Sequence, residues 1–523
     1  MEILGFDAPG TWPPAVLPTA LVAPQNITTR RFASAGFLST TTDDPPSTAW
    51  VPRLLGDVEI GQSAADALGI GGRVALGIAD IALWDADGGL ADSIRYGSAD
   101  GRRVVIRTVP ASRPRESALG GSLAAATVAF QGIVRAVNHG PNKAAILTVT
   151  DIAERLATPL QTSRYLGTGG LEGPTALAGR PKPVALGRLY NVAPIYLGTI
   201  DLGYGSLPTY QTNWRAITAH DAVRIRGVAQ TAVVIAPTVG QFIDIPASGV
   251  FQLGSSPDGP VTADVRGDSV PIYVATVSTV IKRLVQSLGP AFTDAEISTD
   301  AFAFADTDMP GDIGWYRGAE EITASDAVAA ILASCGAVLA GGRGGLVRLF
   351  DPLASDVPQI TLPSAWVLDC QPLPLPVTLR PLPNAVTVGW KPNWAPATDL
   401  AGSVSATERQ QLASAFSGPA RSTSSTIAGR VAQQRDLAFA GLYWAEADAL
   451  ARAAKWKTWL EHGPRLFQVT TDRYLGSAEC GDLGRLTYPA YGLDAGVRFV
   501  VVGWREQLGA RRLTLTLATL PEA

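Results

Sequence analysis

The residues best suited to chemistry are carboxylates. Asp306, Asp308, Asp312, Glu320 and Glu321 crowd the segment from Phe302 to Glu321, with Trp315 and Tyr316 among them. Two carboxyl groups facing each other across a cleft could act as acid and base in glycoside hydrolysis, and the rings could stack on a sugar. A solvated acidic loop with two packed aromatics accounts for the same residues, and the sequence places no pair across a cleft. His220 beside Asp221 is a second acid–base candidate, although a hydrogen-bonded surface histidine explains it more simply. The other histidines are His139 and His462. The chain contains no HExxH, no GxSxG and no phosphate loop ending in GK[ST].

Other motifs fall short of a site. Asp85, Asp87 and Asp92 suggest a calcium loop, but Gly88 falls at the fourth place counted from Asp85, where an EF-hand needs its glycine at the sixth. A solvated turn is the better reading. Gly69-Ile-Gly71-Gly-Arg-Val74 half matches a dinucleotide fingerprint, with Val74 where the third small residue belongs. The glycine run Gly341 to Gly345 lacks the lysine of a phosphate loop and lies between strand-like segments, which points to a hairpin turn. Cys335, Cys370 and Cys480 show no CxxC spacing, so neither a zinc site nor a disulfide framework is expected. We therefore assign no catalytic, cofactor-binding or metal-binding residue, expect no cofactor, and do not read the chain as an enzyme.

The elements around these residues are mainly β with some α. Residues 1–111 read as an N-terminal β-domain, with strands in Val74–Trp84 and Gly101–Val109. Residues 112–165 form a small hairpin and helix unit. There, Thr127–Val137 and Ala144–Thr150 flank the turn Asn138-His-Gly-Pro-Asn142, and Asp151 caps a short helix. Residues 166–275 are a central β-domain. It opens on a joint, Thr168 to Leu197, that holds five glycines and four prolines. Short strands follow at Trp214–Ala219, Ala222–Gly227, Gly249–Leu253 and Val261–Gly267. Residues 276–360 are α+β, with helices at Val277–Leu288 and Thr323–Ser334.

Residues 361–523 read as a C-terminal β-barrel-like domain, begun by Asn384–Trp390 and completed by strands at 466–470, 498–502 and 513–517. Its insertion, 396–463, starts with a Ser/Ala/Gly/Thr-rich stretch at 396–432 that reads as mobile and weakly packed. It ends with a helix from Leu442 to Glu461, supported by an Asp448/Arg452 pair and stopped at Gly463-Pro464. The expected architecture is thus multidomain, with β-barrel or β-sandwich-like domains and a helical insertion near the C-terminus.

Composition narrows the function classes. The 523 residues are 46% hydrophobic and only 17% charged, and mean hydropathy is +0.16. Such a charge-poor chain suggests surface buried against other subunits, and an Ala/Gly/Leu/Val-rich genome bias accounts for it equally well. A net charge of −4 argues against a dedicated nucleic-acid binder, which shows a basic stripe. The amino-terminal residues lack a signal-peptide pattern, and no apolar run reaches the ~20 residues of a membrane span, so no stable membrane insertion is expected.

Several stretches, taken in order, resemble tail-tip (baseplate) hub proteins of long-tailed bacteriophages and phage-derived particles. Leu83-Trp-Asp-Ala-Asp-Gly88 followed by Gly101-Arg-Arg-Val-Val-Ile106 is similar to their strand, DG turn and strand. Phe130-Gln-Gly-Ile-Val-Arg135 with Leu147-Thr-Val-Thr-Asp151 is similar to their paired strand and strand-to-helix segments. Gly179 to Pro194, Asn384 to Val388, the helix around Ala445 to Leu460 and Gly481-Asp482-Leu483 complete the likeness, which spans about two-thirds of the chain. The stretch 396–432 has no counterpart.

The resemblance implies a structural virion protein made in the host cytoplasm. It implies a ring, a homotrimer, closing the tail tube and taking part in host attachment and DNA ejection. Its implied partners are further copies of itself, the distal tail protein, the tape-measure protein, and tail fibres or other tip proteins, with DNA only in transit. A distal-tail or receptor-binding tail protein, and a carbohydrate-active hydrolase acting on the host envelope, are the competing readings.

Overall fold

The computed structural model describes residues 2–7, 29–65, 68, 73–75, 77–97, 99–109, 122–355, 358–473 and 478–522. Gly69 to Gly72 of the half-matched fingerprint lie outside them, and Val74 sits in the strand Arg73–Ala75.

One 15-stranded sheet gathers strands from the first and last thirds of the chain. The hairpin Thr127–His139 and Ala144–Thr150 forms as its alternation predicts, with Ala145 opposite His139. Asp151 follows as N-cap of a 3-10 turn, its carboxylate accepting from the Ala153 amide at 2.8 Å. The strand Leu54–Ser63 pairs on one edge with Gly77–Trp84 and on the other with the long C-terminal strand Leu493–Gln507, placing Ser63 opposite Gly503. Arg512–Thr519 and Leu466–Thr471 continue the sheet. Inward residues such as Ile60, Ile81, Phe130, Leu147, Phe499 and Leu515 make its core. The strand path does not return to its start, so the expected barrel is not closed among the described residues. A strand order with two free ends leaves the sheet open.

The central region is two five-stranded sheets packed face to face. Leu189, Val223 and Val265 of one meet Tyr210, Phe242 and Phe251 of the other. This is the sandwich-like part of the expectation. The segment Trp214–Ala219 differs in detail. Its strand starts at Ile217 and runs unbroken to Ile225 through a bulge between His220 and Ala222, merging two expected strands.

Helices Val277–Ser287, Ala324–Cys335 and Glu446–His462 share a core containing Ile281, Leu284, Ile331, Leu332, Trp456 and Trp459. The last helix ends at Gly463 with φ 79, the left-handed cap that favours glycine. Its expected Asp448/Arg452 pair is replaced. Arg452 faces inward, where its guanidinium grips Asp351 with two bonds of 2.6 and 2.8 Å.

Two further expectations change. The strand Ala385–Pro392 does not join the C-terminal strands; it forms its own three-stranded sheet with Phe416–Thr423 and Asp436–Tyr443. The stretch 396–432 is accordingly ordered. Ser405 and Glu408 form a capping box for the helix Ala406–Ala413, and Leu400, Val404 and Leu412 pack beside Tyr190. Gly418 and Pro419 sit in an edge strand, where a missing N–H is tolerated.

Candidate functional site

The acidic segment is not a loop. Ser298 caps a helix, Thr299–Asp308, that carries Phe302, Asp306 and Asp308. Asp308 is buried and bonded to the Lys455 ammonium at 3.0 Å and the Ser355 hydroxyl at 3.1 Å. Trp315 and Tyr316 lie in the strand Gly314–Arg317 and face the core, with the Tyr316 hydroxyl donating to the Ala193 carbonyl at 2.6 Å. Glu321 is held by Arg164 at 2.5 Å, and Glu320 pairs with Arg317 at 3.4 Å. The rings are thus spent on packing and offer no stacking surface, and Asp308, Glu320 and Glu321 are each engaged by a cation.

His220 turns away from Asp221, which pairs with Arg266 at 2.8 Å. Its Nδ1 lies 2.6 Å from Asp244 Oδ1 and its Nε2 lies 2.8 Å from Thr212 Oγ1. Hydroxyl, imidazole and carboxylate are the order found in nucleophilic hydrolases. Here, however, the hydroxyl has nothing to attack. Thr212 is fully buried, its Oγ1 also lies 3.3 Å from the Gly249 carbonyl, and Phe251 packs edge-on against the imidazole at 5.0 Å. The group ties Asp244 of one central sheet to His220 of the other.

The aspartates after Trp84 hold an arginine. The Arg53 guanidinium makes two bonds to Asp87, at 2.8 and 2.5 Å, and lies 3.7 Å from Asp85, while Asp92 stands on the short helix Ala91–Tyr96. No group of three metal-ligating side chains is positioned to hold an ion among the described residues. The three cysteines are buried and unpaired, and burial pushes the Cys335 and Cys370 thiols up to about 11.

The glycine run is the expected hairpin turn between Val338–Gly341 and Val347–Phe350, but its arginine is a feature the sequence did not disclose. Arg343 is 3% exposed. Its guanidinium forms an ion pair with Glu506, lies 3.6 Å from the Trp504 ring centroid and donates to the Ala478 carbonyl at 3.1 Å. Its own carbonyl accepts the Gln131 amide at 2.7 Å. Beside it, Gln62 donates to the Gly341 carbonyl at 2.8 Å and to Asp151 at 3.2 Å, and accepts from the Trp504 indole at 3.2 Å. Asp151 also accepts the Gly77 amide at 2.5 Å. Burial pushes its carboxyl up to about 7 against the pull of these N–H donors. The hairpin thus clasps the early and late strands of the large sheet together.

No family model and no curated protein sequence matches the chain. Solved structures do. The 43 kDa tail protein of prophage MuSo2 from Shewanella oneidensis aligns over 90% of this chain and 95% of its own, at 9% identity and a TM-score of 0.39. A tail protein from Neisseria meningitidis MC58 aligns over 89% and 96%, at 9% identity and 0.38. A chain of the native gene transfer agent virion aligns over 71% and 92%, at 10% identity and 0.43. Two of these similar structures are tail proteins, one of them from a prophage, and the third belongs to a gene transfer agent virion.

Proposed function

We propose that the chain is a structural subunit of a bacteriophage tail tip, a baseplate hub whose copies form a trimeric ring closing the tail tube. In this reading it anchors the distal tail protein, the tape-measure protein and fibres, and lets DNA pass at ejection. The observation that carries the reading is a projection built for contact. Among the described residues the edge strand Thr231–Val233 pairs on one side only, with Gln241–Ile245. Beyond it Val234, Ile235 and Val239 are 84%, 71% and 81% exposed. No charged residue interrupts the sequence from Gly227 to Ile243. Exposed apolar patches and uncovered sheet edges mark places where another chain binds. The order of tail-tip-like stretches in the sequence says which assembly to test.

The test is the mass of the purified protein in solution, with imaging of any oligomer. A trimer with a central opening is expected. A particle that stays monomeric at all concentrations, also when mixed with the neighbouring tail proteins, would sink the ring.

A further inference from the structure

Two backbone distortions in different sheets face each other and gather cations. Lys391 (φ 46) and Asn191 (φ 55) both occupy the left-handed region. Side-chain-bearing residues rarely adopt it, and it concentrates where a side chain must be aimed. Asn191 Nδ2 donates to Asn393 Oδ1 at 2.8 Å and to the Ala395 carbonyl at 2.9 Å, locking the strand Val184–Val192 against Ala385–Pro392. The lock delivers the Lys391 ammonium to 4.4 Å from the Tyr190 ring centroid and 5.0 Å from that of Trp444. The Arg188 guanidinium lies 4.2 Å from the same Trp444 ring.

The nearby carboxylates are otherwise engaged. Asp264 is held by Arg224 through two bonds of 2.7 Å and by the Asn191 amide. Glu408 closes the Ser405 cap. Asp312 is exposed and makes no ion pair with either cation. Neither Arg188 nor Lys391 has an ion pair or a side-chain hydrogen bond among the described residues, and both are half-buried. Burial pulls the Lys391 ammonium below the usual lysine range; Asp264 opposes the shift, and Arg224 and Arg188 add to it. The Arg188 Nε is buried without a hydrogen-bond partner.

We propose that Arg188 and Lys391 bind a phosphate group. Aromatic faces hold cations in place without neutralising them. Two like charges beside one indole repel each other until an anion lies between them. A phosphate dianion cancels both, whereas a carboxylate cancels one. An arginine fork and a lysine point charge are a combination that grips phosphate oxygens. A buried donor without a partner completes the demand for an acceptor-rich ligand. The proposal stands apart from the tail-tip reading, since it concerns only this chain's own side chains.

The experiment titrates the full chain with sodium phosphate, glycerol 2-phosphate and sodium acetate at matched ionic strength, reading heat and tryptophan fluorescence. Saturable phosphate binding at least tenfold tighter than acetate is expected, weakened at least tenfold in R188M and in K391M. Both variants should also melt higher than the parent in phosphate-free, low-salt buffer, because one of two repelling charges is gone. Tighter binding of glycerol 2-phosphate would assign the phosphate to an organic monoester, and tighter inorganic phosphate to the free ion. Phosphate binding no tighter than acetate, or variants with parental affinity, would overturn the proposal. If R188M does not fold, K391M alone decides it.

Discussion

Arg343 and Glu506 stand 163 residues apart in sequence yet form an ion pair in which each side chain is only 4% exposed. One belongs to the hairpin after the helix Ala324–Cys335, the other to the long C-terminal strand. A buried pair is costly to break, because removing one partner strands the other's charge away from water. R343M should therefore lower stability by about 3–5 kcal/mol. The double variant R343M/E506L should recover most of that loss, since it buries no charge. Urea unfolding midpoints of the three proteins measure this, and equal losses in single and double variants would deny the pair its role.

Asp151 gives a pH dependence with a defined sign. Its carboxyl is raised from 3.8 to about 7 in the fold, chiefly by burial, so the folded chain holds the proton more tightly than the unfolded one. The stability it contributes is complete below pH about 4 and is lost as pH rises through about 7. The whole span amounts to roughly 4 kcal/mol. The melting temperature of the parent should fall more steeply between pH 5 and pH 8 than that of D151N. Parallel slopes would show that Asp151 does not titrate in this range.

Gly187 and Gly314 oppose each other across two paired strands. A Cβ on Gly187 would lie 2.0 Å from the Ile313 carbonyl oxygen, and one on Gly314 would lie 2.0 Å from that of Arg188. Gly187 also sits at φ 70. The backbone conformation alone makes alanine there unfavourable by about 1–3 kcal/mol, and the clash with main chain adds to it. G187A and G314A should both melt well below the parent. G344A, where a Cβ meets nothing within 4 Å, should stay within about 0.5 kcal/mol of it.

The apolar projection separates folding from assembly. V234D/I235D places charge on two side chains already 84% and 71% exposed, so the isolated chain should keep its unfolding midpoint within about 0.5 kcal/mol. Its oligomers should dissociate at concentrations where the parent remains assembled, as read by light scattering. An unchanged oligomer would move the interface elsewhere on the surface.

What the sequence disclosed was local. The hairpin around Asn138–Asn142 and the helices Val277–Ser287, Ala324–Cys335 and Glu446–His462 follow from periodicity, caps and stop residues that lie within a dozen or so positions of one another. The helix Thr299–Asp308 was missed because its acidic and threonine positions blur the apolar face. Phe416–Thr423 was missed because glycine and proline mask a strand that needs pairing on one side only. The ties were invisible for a different reason. His220 finds Asp244 rather than its chain neighbour because successive strand side chains point to opposite faces, and Arg343 meets Glu506 only once the large sheet has assembled. Nothing in either local sequence encodes such a meeting.

The large sheet also sets a schedule. Gln62 and Trp504, bonded across the seam, are 442 residues apart. At about 5–20 residues per second, synthesis needs on the order of 20–90 s to bring the second after the first. Throughout that interval the outer edge of Leu54–Ser63 emerges from the ribosome with its intended neighbour still untranslated. Every nascent chain would expose the same open edge, so this strand is where chaperones would engage and where stalled translation would seed aggregates.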